Sequence, residues 1–415
     1  MRGLIRVGTG WWQREWQTHH HRYGLTSGLV QLLNWGVLYY SFGILLPAMH
    51  ETTGLGMALL SAMPTIAALA GAVTAPLLGR LWGRVDPQRL MLAGMVLGGL
   101  TLLLWALAEQ GWQFLAVAVL LGVSQVLCFY DAAFLLVRRQ IQPPSRRPPV
   151  LKRITLLGGL ASTVLVPITA AVAGLLSWRL ALVVLAAILL LVSLPLTIRL
   201  KSVYTADATE ADPPERTDAW ATPIAAWVLR VWSFGVSLAS AATATILPAS
   251  LLSRGYPEGI TVTLVALLGA MQLAGRLLVT PLEQLLGLDR LLRLTPLAIC
   301  ASLAALAWLP LSLAWLGVLL GGAAFGMSAL IRPLALERAT SQLEVFTRLN
   351  GQLAGIGLLA RACGPVTAGL VLESTQTGGA SLGVIAVIAL LTSLVIGGHE
   401  VLPTKAGRTS AHPCC

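Results

Sequence analysis

Charged residues are scarce in this chain: Asp, Glu, Lys and Arg make up 11% of its 415 residues, whereas a soluble protein has about 25%. Hydrophobic residues make up 56% of the chain, and its mean hydropathy is +0.79. A chain this apolar cannot cover its folded surface with polar groups. The composition therefore excludes a water-soluble globular protein and predicts one whose solvent is lipid.

Lysine is rarer still: the chain has only Lys152, Lys201 and Lys405, compared with 25 arginines. None of these three lysines follows a glycine. A Walker A phosphate-binding loop needs a Gly-Lys pair followed by Ser or Thr, so an ATP-driven pump of that kind is excluded within this chain. An HExxH zinc motif and paired catalytic carboxylates are also missing. We therefore predict neither an enzyme nor a bound cofactor.

Cysteine occurs five times, at Cys128, Cys300, Cys363, Cys414 and Cys415. These spacings match neither a disulfide framework nor a zinc motif, so no metal site is predicted. Cys128 and Cys363 lie in apolar runs, where soft thiolates could hold a metalloid such as As(III). The other interpretation is that each cysteine is a small apolar filler, the usual role of a lone cysteine in such a run.

Apolar runs of about 20 residues, enough to cross a bilayer, occur six times on each side of one long polar stretch. The polar stretch is rich in acidic and small residues and contains two adjacent prolines, which is typical of a solvated linker. The runs cover 25–47, 57–79, 89–108, 112–137, 154–176 and 179–199, then 221–248, 260–282, 293–311, 313–331, 349–372 and 381–398. They predict an all-α membrane protein with twelve transmembrane helices.

This pattern divides the chain into five parts. An N-terminal segment (1–24) carries four arginines and three tryptophans, which suits a cytoplasmic or interfacial lead-in and not a signal peptide. It precedes a first six-helix bundle (25–200), a cytoplasmic linker (201–220), a second six-helix bundle (221–398) and a cytoplasmic tail (399–415).

The distribution of Arg and Lys tests the number of helices. With the N-terminus in the cytoplasm, 23 of the 28 basic residues fall on the cytoplasmic side, and only Arg179 and Arg254 fall in loops on the other side. This bias follows the positive-inside rule. The net charge of +11 therefore reflects topology and requires no nucleic-acid partner. We expect a multi-pass protein of the inner (cytoplasmic) membrane with both termini in the cytoplasm.

Short sequences recur between the two blocks of runs at nearly one offset. The tripeptide GRL occurs at 79–81 and 275–277, LPA at 46–48 and 247–249, and the pattern P-[IV]-T-A at 167–170 and 365–368. Each copy lies in the corresponding run of its block, which favours an internal repeat over chance. Because six runs separate the copies, the halves have the same orientation, as parallel repeats do.

Two six-helix parallel repeats joined by a cytoplasmic linker resemble the major facilitator superfamily of transporters. The signature of that family, between its second and third helices, has a Gly, then Asp-Arg, then Gly and a basic pair. The loop GRLWGRVDPQR matches it at Gly79, Arg84 and Arg89, whereas Gly83 replaces the Asp and Asp86 stands at the later Gly. The resemblance implies that this loop takes part in gating on the cytoplasmic side.

The resemblance covers residues 25–400, and three stretches, at 35–49, 129–134 and 154–179, look like a bacterial branch that includes efflux proteins and arsenite exporters. It implies a secondary active transporter that works by alternating access. We predict that the protein is a monomer that exports a small solute by proton coupling. Its partners are that solute and the lipid bilayer. An arsenite or metalloid exporter is one alternative, and a non-transporting membrane sensor with the same fold is another.

Charged side chains inside a span cost about 2.5–3.5 kcal/mol on insertion scales, so each needs a reason. Asp131 lies in the fourth run and, by helical spacing, shares a face with Ser124 and Cys128. Its carboxyl could carry the coupling proton, because burial favours the neutral form. The other interpretation is an ion pair with an arginine of a cytoplasmic loop.

Arg361 is the most central charge of the second half, and an arginine there suits an anionic substrate, a carboxylate partner such as Asp131, or a fixed brace between helices. Gln272 and Arg276 lie one turn apart in the eighth run, where Arg276 could line the transport path or extend to the membrane surface. Gln31, Asn34 and Tyr39 approximate one stripe of the first run. They could line the path or hydrogen-bond a neighbouring helix.

Overall fold

A computed structural model describes residues 4–81, 84–141, 144–200, 223–340 and 342–397. All regular structure in these residues is helical, and twelve of the helices are long and apolar enough to cross a membrane. The prediction of an all-α membrane protein with twelve spans is therefore confirmed. The predicted linker (201–220) and cytoplasmic tail (399–415) lie outside the described residues.

We number these helices span 1 to span 12. Spans 1 to 6 cover His20–Thr53, Met57–Leu81, Pro87–Ala106, Gly111–Gln140, Arg147–Leu175 and Trp178–Ile198. Spans 7 to 12 cover Ala226–Ser253, Glu258–Leu286, Leu288–Trp308, Leu313–Ala339, Leu343–Thr375 and Gly378–Gly397. Each overlaps the run predicted for it. Several continue further, as span 10 does from 331 to Ala339, because a helix can extend into polar sequence beyond its apolar core.

Local sequence explains where several spans begin and end. Asp86 caps the N-terminus of span 3 by accepting a backbone N–H at 3.2 Å, and Pro87 occupies the first helical position. Ser177 caps span 6 in the same way at 3.1 Å. Span 1 ends at Gly54, whose φ of 69° lies in the left-handed region that favours glycine.

Helical regularity differs between the two halves. Span 1 contains a π-helix over Gly36–Tyr40 and span 6 another over Ile188–Ser193. Span 4 is interrupted at Phe129 and span 5 at Leu160. By contrast, each of the six spans from Ala226 to Gly397 lies within one uninterrupted α-helix in the described residues. Irregular backbone is therefore concentrated in the first half.

The contacts divide the chain into two compact units. The first consists of the described parts of Met1–Gly71 and Arg84–Ala211, and the second of those of Ala72–Gly83 and Asp212–Cys415. In the first half span 4 is the most buried and spans 2 and 5 the least. In the second half span 10 is the most buried and spans 8 and 11 the least. The same order of burial in both halves agrees with a repeat of six helices.

A hydrogen bond from a serine hydroxyl to a glycine carbonyl joins span 3 to span 4. An equivalent hydrogen bond joins span 9 to span 10. In the first half Ser124 of span 4 donates to Gly94 O of span 3 at 2.8 Å. In the second half Ser302 of span 9 donates to Gly317 O of span 10 at 2.6 Å. In each case a second glycine follows the first by four residues: Gly98 in span 3 and Gly321 in span 10. A Cβ added at either position would contact the serine hydroxyl. The lack of a side chain lets the helices approach closely.

The two arginines predicted outside the cytoplasm each cap the end of a helix. Arg179 Nη1 donates to the carbonyl oxygens of Ala106 and Ala108, at 2.7 and 2.9 Å, where span 3 ends. Arg254 donates to two backbone carbonyls at the end of span 9. Each cation satisfies carbonyls that the helix end leaves unpaired and interacts favourably with its dipole. These exceptions to the charge bias thus have a structural reason.

Close packing of spans 2 and 4 predicts a destabilising substitution. A Cβ added at Gly122 would lie 2.1 Å from Ala67 O, so Gly122→Ala should push the two helices apart. Overpacking of this kind costs about 1–3 kcal/mol. We expect a lower unfolding temperature of the full-length protein in detergent, measured by scanning fluorimetry.

The matched control is Gly269→Ala in span 8, where nothing lies within 4 Å of the added Cβ. This variant should keep or slightly raise the unfolding temperature, because alanine is the better helix former. An equal loss in both variants would contradict the explanation by close packing.

Candidate functional site

Span 4 is interrupted in the first unit at Phe129. An α-helix ends at Cys128, Phe129 is extended with φ −84° and ψ −165°, and a second α-helix covers Tyr130–Gln140. Neither glycine nor proline stands here, so the local sequence alone does not explain the interruption. We call Cys128–Tyr130 the span 4 break. Backbone groups at such a break need other partners, because lipid supplies none.

Two amide side chains of span 1 supply these partners. Gln31 Nε2 and Asn34 Nδ2 donate to the carbonyl oxygen of Cys128 at 2.9 and 3.1 Å, and both residues are fully buried. Because they stand three positions apart, they lie on the same face of span 1. The sequence allows these residues either to line the transport path or to hydrogen-bond a neighbouring helix. The structure shows such a hydrogen bond for both.

The same network connects the break to the π-helices of spans 1 and 6. Ser193 Oγ, at the end of the span 6 π-helix, donates to Asn34 Oδ1 at 2.7 Å. Gln125 Nε2 donates to Leu38 O, within the span 1 π-helix, at 2.8 Å. Such segments are frequent at functional sites. Sequence reasoning missed Gln125 and Ser193, because no local pattern marks a π-helix.

Six aromatic side chains, two of which belong to the break itself, form a connected group of ring contacts. Trp35 stacks on Phe129 with the ring centroids 4.1 Å apart and lies 5.2 Å from the ring of Tyr130. Of the predicted path residues on span 1, Tyr39 is the exposed one, at 44%. We call the following six residues the aromatic cluster: Trp35, Tyr39, Tyr40, Phe129, Tyr130 and Phe134.

Asp131 is the second residue of the helix that begins after the break. It is half-buried, whereas every side chain from Ala132 to Arg138 is buried. A carboxylate in the first turn of a helix interacts favourably with the helix dipole. The break therefore gives a carboxylate within a span both partial access and a favourable helix terminus.

The shared face predicted for Ser124, Cys128 and Asp131 assumed one helix, whereas the break separates Ser124 and Cys128 from Asp131. Ser124 donates to span 3, and the side chain of Cys128 is fully buried, whereas Asp131 is half-buried. The prediction assumed a continuous helix, and the extended backbone of Phe129 changes the direction of every later side chain.

The second unit holds the other predicted path residues. Arg361 of span 11 is exposed and lies on the helical face opposite the exposed side chains of Leu359 and Leu370. Exposed leucines on a membrane helix mark its lipid side, so Arg361 faces away from lipid, as intramembrane charges do. Gln272 and Arg276 are half-buried on span 8.

A second arginine of this unit contacts span 11 from a neighbouring helix. Arg230 of span 7 donates to Gln352 Oε1 at 2.8 Å. The structure thus groups the predicted residues by unit: Gln31, Asn34, Tyr39 and Asp131 in the first, and Gln272, Arg276 and Arg361 in the second.

The predicted gating loop is divided between the units. Gly79 belongs to the second unit, where an added Cβ would lie 3.0 Å from Thr347 O of span 11. Arg84, Asp86 and Arg89 belong to the first unit and are exposed. Asp86, which stands where the family signature has glycine, serves as the N-cap of span 3.

The cysteines weighed as a thiol site differ in access. Cys128 is fully buried, and Cys363 is half-buried on span 11. Within the described residues, no three or more His, Cys, Asp and Glu side chains are grouped as a metal site would require.

A serine-hydrolase pattern is present in the letters of the sequence but not in the structure. Residues 379–383 read GASLG, which matches GxSxG. Its serine, Ser381, is fully buried in the first turn of span 12 and donates to Ala368 O at 2.7 Å. A nucleophile elbow needs an exposed serine between a strand and a helix, so Ser381 is not a nucleophile.

Comparison with known proteins places this architecture among transporters. The family model of the Major Facilitator Superfamily matches residues 26–344. None of the curated protein sequences compared with the chain matches it.

Three solved structures are similar at identities that concern the fold alone. The transporter FucP in the outward conformation has a TM-score of 0.71 and 15% identity, covering 91% of this chain and 98% of its own. The human organic anion transporter MFSD10 has a TM-score of 0.69 and 16% identity, with 91% and 99% covered. A variant of the E. coli fucose:proton symporter FucP has a TM-score of 0.67 and 15% identity, with 92% and 98% covered.

The position of Asn34 in the network predicts coupled effects of substitution. In Asn34→Leu, Cys128 O loses a donor and the Ser193 hydroxyl loses its acceptor. A buried group left without a partner costs about 1–3 kcal/mol, so the unfolding temperature in detergent should fall. Ser193→Ala should cost less in the Asn34→Leu background than alone, because the hydroxyl no longer has an acceptor to lose.

Thr101→Val is the control, since the buried hydroxyl of Thr101 donates to Leu97 O of its own helix at 2.7 Å. Its effect on stability should be small. Strictly additive effects of the Asn34 and Ser193 substitutions would contradict the network.

Proposed function

Because the chain belongs to the Major Facilitator Superfamily, we propose that it is a proton-coupled secondary transporter that exports a small solute by alternating access. The family and the transporter structures that share its fold identify a transporter and not an enzyme. The twelve apolar spans identify a multi-pass membrane protein. Proton coupling, the direction of transport and the residues that carry them are the proposal.

One observation carries the proton-coupling proposal: a half-buried carboxyl, Asp131, directly follows an interruption in a membrane helix. Broken helices in transporters place polar groups at ion and substrate sites. In our proposal a proton binds an Asp131 carboxylate oxygen on one side of the membrane and leaves on the other. Coupling requires that protonation favours one of the two states of the carrier over the other.

Protonation of Asp131 removes a negative charge from a helix that carries basic residues and packs on others that do. Arg138 and Arg139 follow on the same helix. The helices that pack on it, in spans 1, 3 and 5, carry further titratable or cationic groups: His20, His21, Arg22, Arg89, Arg147, Lys152 and Arg153. A change of one charge in such a group is a local electrostatic event of the kind that biases two-state elements.

The remaining predicted residues receive supporting roles. We propose that Tyr39 of the first unit and Gln272, Arg276 and Arg361 of the second contact the solute, while Gln31 and Asn34 hold the break in place. The loop with Gly79, Arg84, Asp86 and Arg89 is proposed to take part in cytoplasmic gating.

The orientation and direction of transport rest on the sequence. The excess of Arg and Lys on one side supports cytoplasmic termini and an inner-membrane location. The likeness to a bacterial branch with efflux proteins and arsenite exporters supports export, and we propose that the carrier is a monomer. A metalloid exporter using Cys128 and Cys363 and a non-transporting sensor are the alternatives that the experiment must separate.

Replacement of Asp131 tests the coupling. Full-length protein is reconstituted into vesicles that contain the pH indicator pyranine, and arsenite, benzenesulfonate or benzyltrimethylammonium is added in turn. We expect at least one of them to drive a change in internal pH. Asp131→Asn should abolish this change in internal pH, because the amide cannot bind the coupling proton and coupling needs a state-dependent proton site.

Glu109→Gln is the matched control, because Glu109 is an exposed carboxylate between spans 3 and 4. It should leave the flux unchanged. Solute movement that is independent of pH, or that persists in Asp131→Asn, would refute the coupling role. Saturable binding without any flux would favour the sensor, and arsenite flux that fails in the double variant Cys128→Ala, Cys363→Ala would favour the metalloid exporter.

A further inference from the structure

Arginines lie deep inside the spans of the second half, whereas its acidic residues lie at their ends. Arg276, Arg332 and Arg361 each stand seven or more residues from both ends of spans 8, 10 and 11. Every Asp and Glu of spans 7 to 12 is among the first or last four residues of its span. The interior of these spans therefore carries guanidinium groups and no acidic residue. Such charges are costly in a membrane and mark substrate or ion pathways.

Arg332 is the one of these arginines that the sequence did not mark. The predicted tenth run ends at 331, but span 10 continues to Ala339 and so contains Arg332. The side chain is half-buried, and its Nη1 atom lies 4.0 Å from the position of a Cβ added at Gly357 of span 11. Arg332 also interacts within the protein. A guanidinium with five N–H donors can keep an internal contact and still bind a solute.

Spans 7, 10 and 11 meet at Gly357. A Cβ added there would lie 3.1 Å from the hydroxyl oxygen of Ser237 in span 7, besides its 4.0 Å approach to Arg332 Nη1. The missing side chain therefore lets a hydroxyl and a guanidinium approach span 11 at one point. Ser237 is half-buried, as Arg332 is, so neither donor is sealed from a solute.

Arg361 stands one helical turn beyond Gly357 and shares its face of span 11. Side chains in an α-helix lean toward the N-terminus of their own helix, so Arg361 leans back toward Gly357, where the guanidinium of Arg332 lies. Arg361 is exposed, and no carboxylate of the described residues forms an ion pair with it. Two guanidinium groups near one point repel each other unless an anion lies between them.

We propose that Arg332, Arg361 and Ser237 form a binding site for the anionic group of a solute, namely a carboxylate, sulfonate or phosphate. The fork of a guanidinium matches the paired oxygens of such a group and binds it through two hydrogen bonds. The bound anion offsets the arginine charge in a part of the spans that has no acidic residue. The inference rests on the proposed transport function, names its substrate class and adds Arg332 and Ser237 to the residues that contact the solute.

Equilibrium binding to the full-length protein in detergent tests this proposal, with no pH gradient present. The anionic probes are radiolabelled benzenesulfonate, benzoate and phenyl phosphate, which carry different oxyanion groups on the same ring. Benzenesulfonamide is the neutral probe and benzyltrimethylammonium the cationic one. We expect saturable binding of at least one anion, and at least about tenfold weaker binding in Arg332→Gln and in Arg361→Gln, because each variant loses charge-assisted hydrogen bonds.

Arg290→Gln is the matched control, because Arg290 is an exposed arginine at the start of span 9. Its binding should not change. Arg361→Lys keeps the charge but not the fork, so its binding should fall less than that of Arg361→Gln. The unfolding temperature of each variant, measured by scanning fluorimetry, separates a loss of binding from a loss of fold. If Arg332→Gln does not fold, Arg332→Lys replaces it and should still bind more weakly than the unchanged protein, because an ammonium lacks the fork.

Four outcomes would overturn the proposal. The first is that none of the anions binds saturably, and the second is that the neutral or the cationic probe binds as strongly as the anions. The third is an equal loss of binding in Arg290→Gln, because the position of the arginine would then play no part. The fourth is binding that survives in Arg361→Gln or in the Arg332 variant, which would refute the paired site.

Binding and flux separate this proposal from the one on which it rests. Anion binding that depends on Arg332 and Arg361, combined with flux that ignores the pH gradient, would uphold the substrate class and refute proton coupling. Proton-coupled flux of benzyltrimethylammonium or arsenite alone would do the reverse.

Discussion

Backbone hydrogen bonding inside lipid is the constraint on which the first half of the molecule depends. Lipid offers a peptide group no hydrogen-bond partner, so the backbone of an interrupted membrane helix needs partners from the protein or from water in a cavity. Gln31 and Asn34 supply such partners at the break, and Gln125 does so for a carbonyl of the span 1 π-helix. The interruption and these amides therefore require one another.

This requirement gives the two halves different characters within one repeat. Spans 7 to 12 are uninterrupted, whereas spans 1, 2, 4, 5 and 6 depart from a regular α-helix. The departures in spans 1, 4 and 6 are connected by the hydrogen bonds of Gln31, Asn34, Gln125 and Ser193. In the second half the polar groups described above are on regular helices, with Arg361 exposed and Arg230 bonded to Gln352. Unequal chemistry on one architecture is consistent with a substrate that is not symmetric.

The twelve spans could be predicted because hydropathy and the Arg and Lys bias accumulate over whole segments, so no single residue decides them. The break at Phe129 could not, because its partners stand more than ninety positions away and no glycine or proline marks it. The shared face predicted for Ser124, Cys128 and Asp131 assumed a continuous helix, which the break interrupts. For Gln31 and Asn34 the sequence predicted a shared face, but a path-lining role and an interhelix bond need that same face. The hydrogen bonds to Cys128 O could not be predicted, because the position of that carbonyl depends on the break.

The serine–glycine joints of spans 3 and 4 and of spans 9 and 10 bear on how the repeat diverges. The hydroxyl belongs to the later helix in the first half and to the earlier helix in the second, yet the hydrogen bond and the paired glycines remain. If both halves descend from one ancestral segment, the donor has changed sides while the contact persisted. Residue-by-residue alignment of the halves would count these positions as mismatches. Kinship between such halves is better judged by the contacts they preserve than by the letters they share.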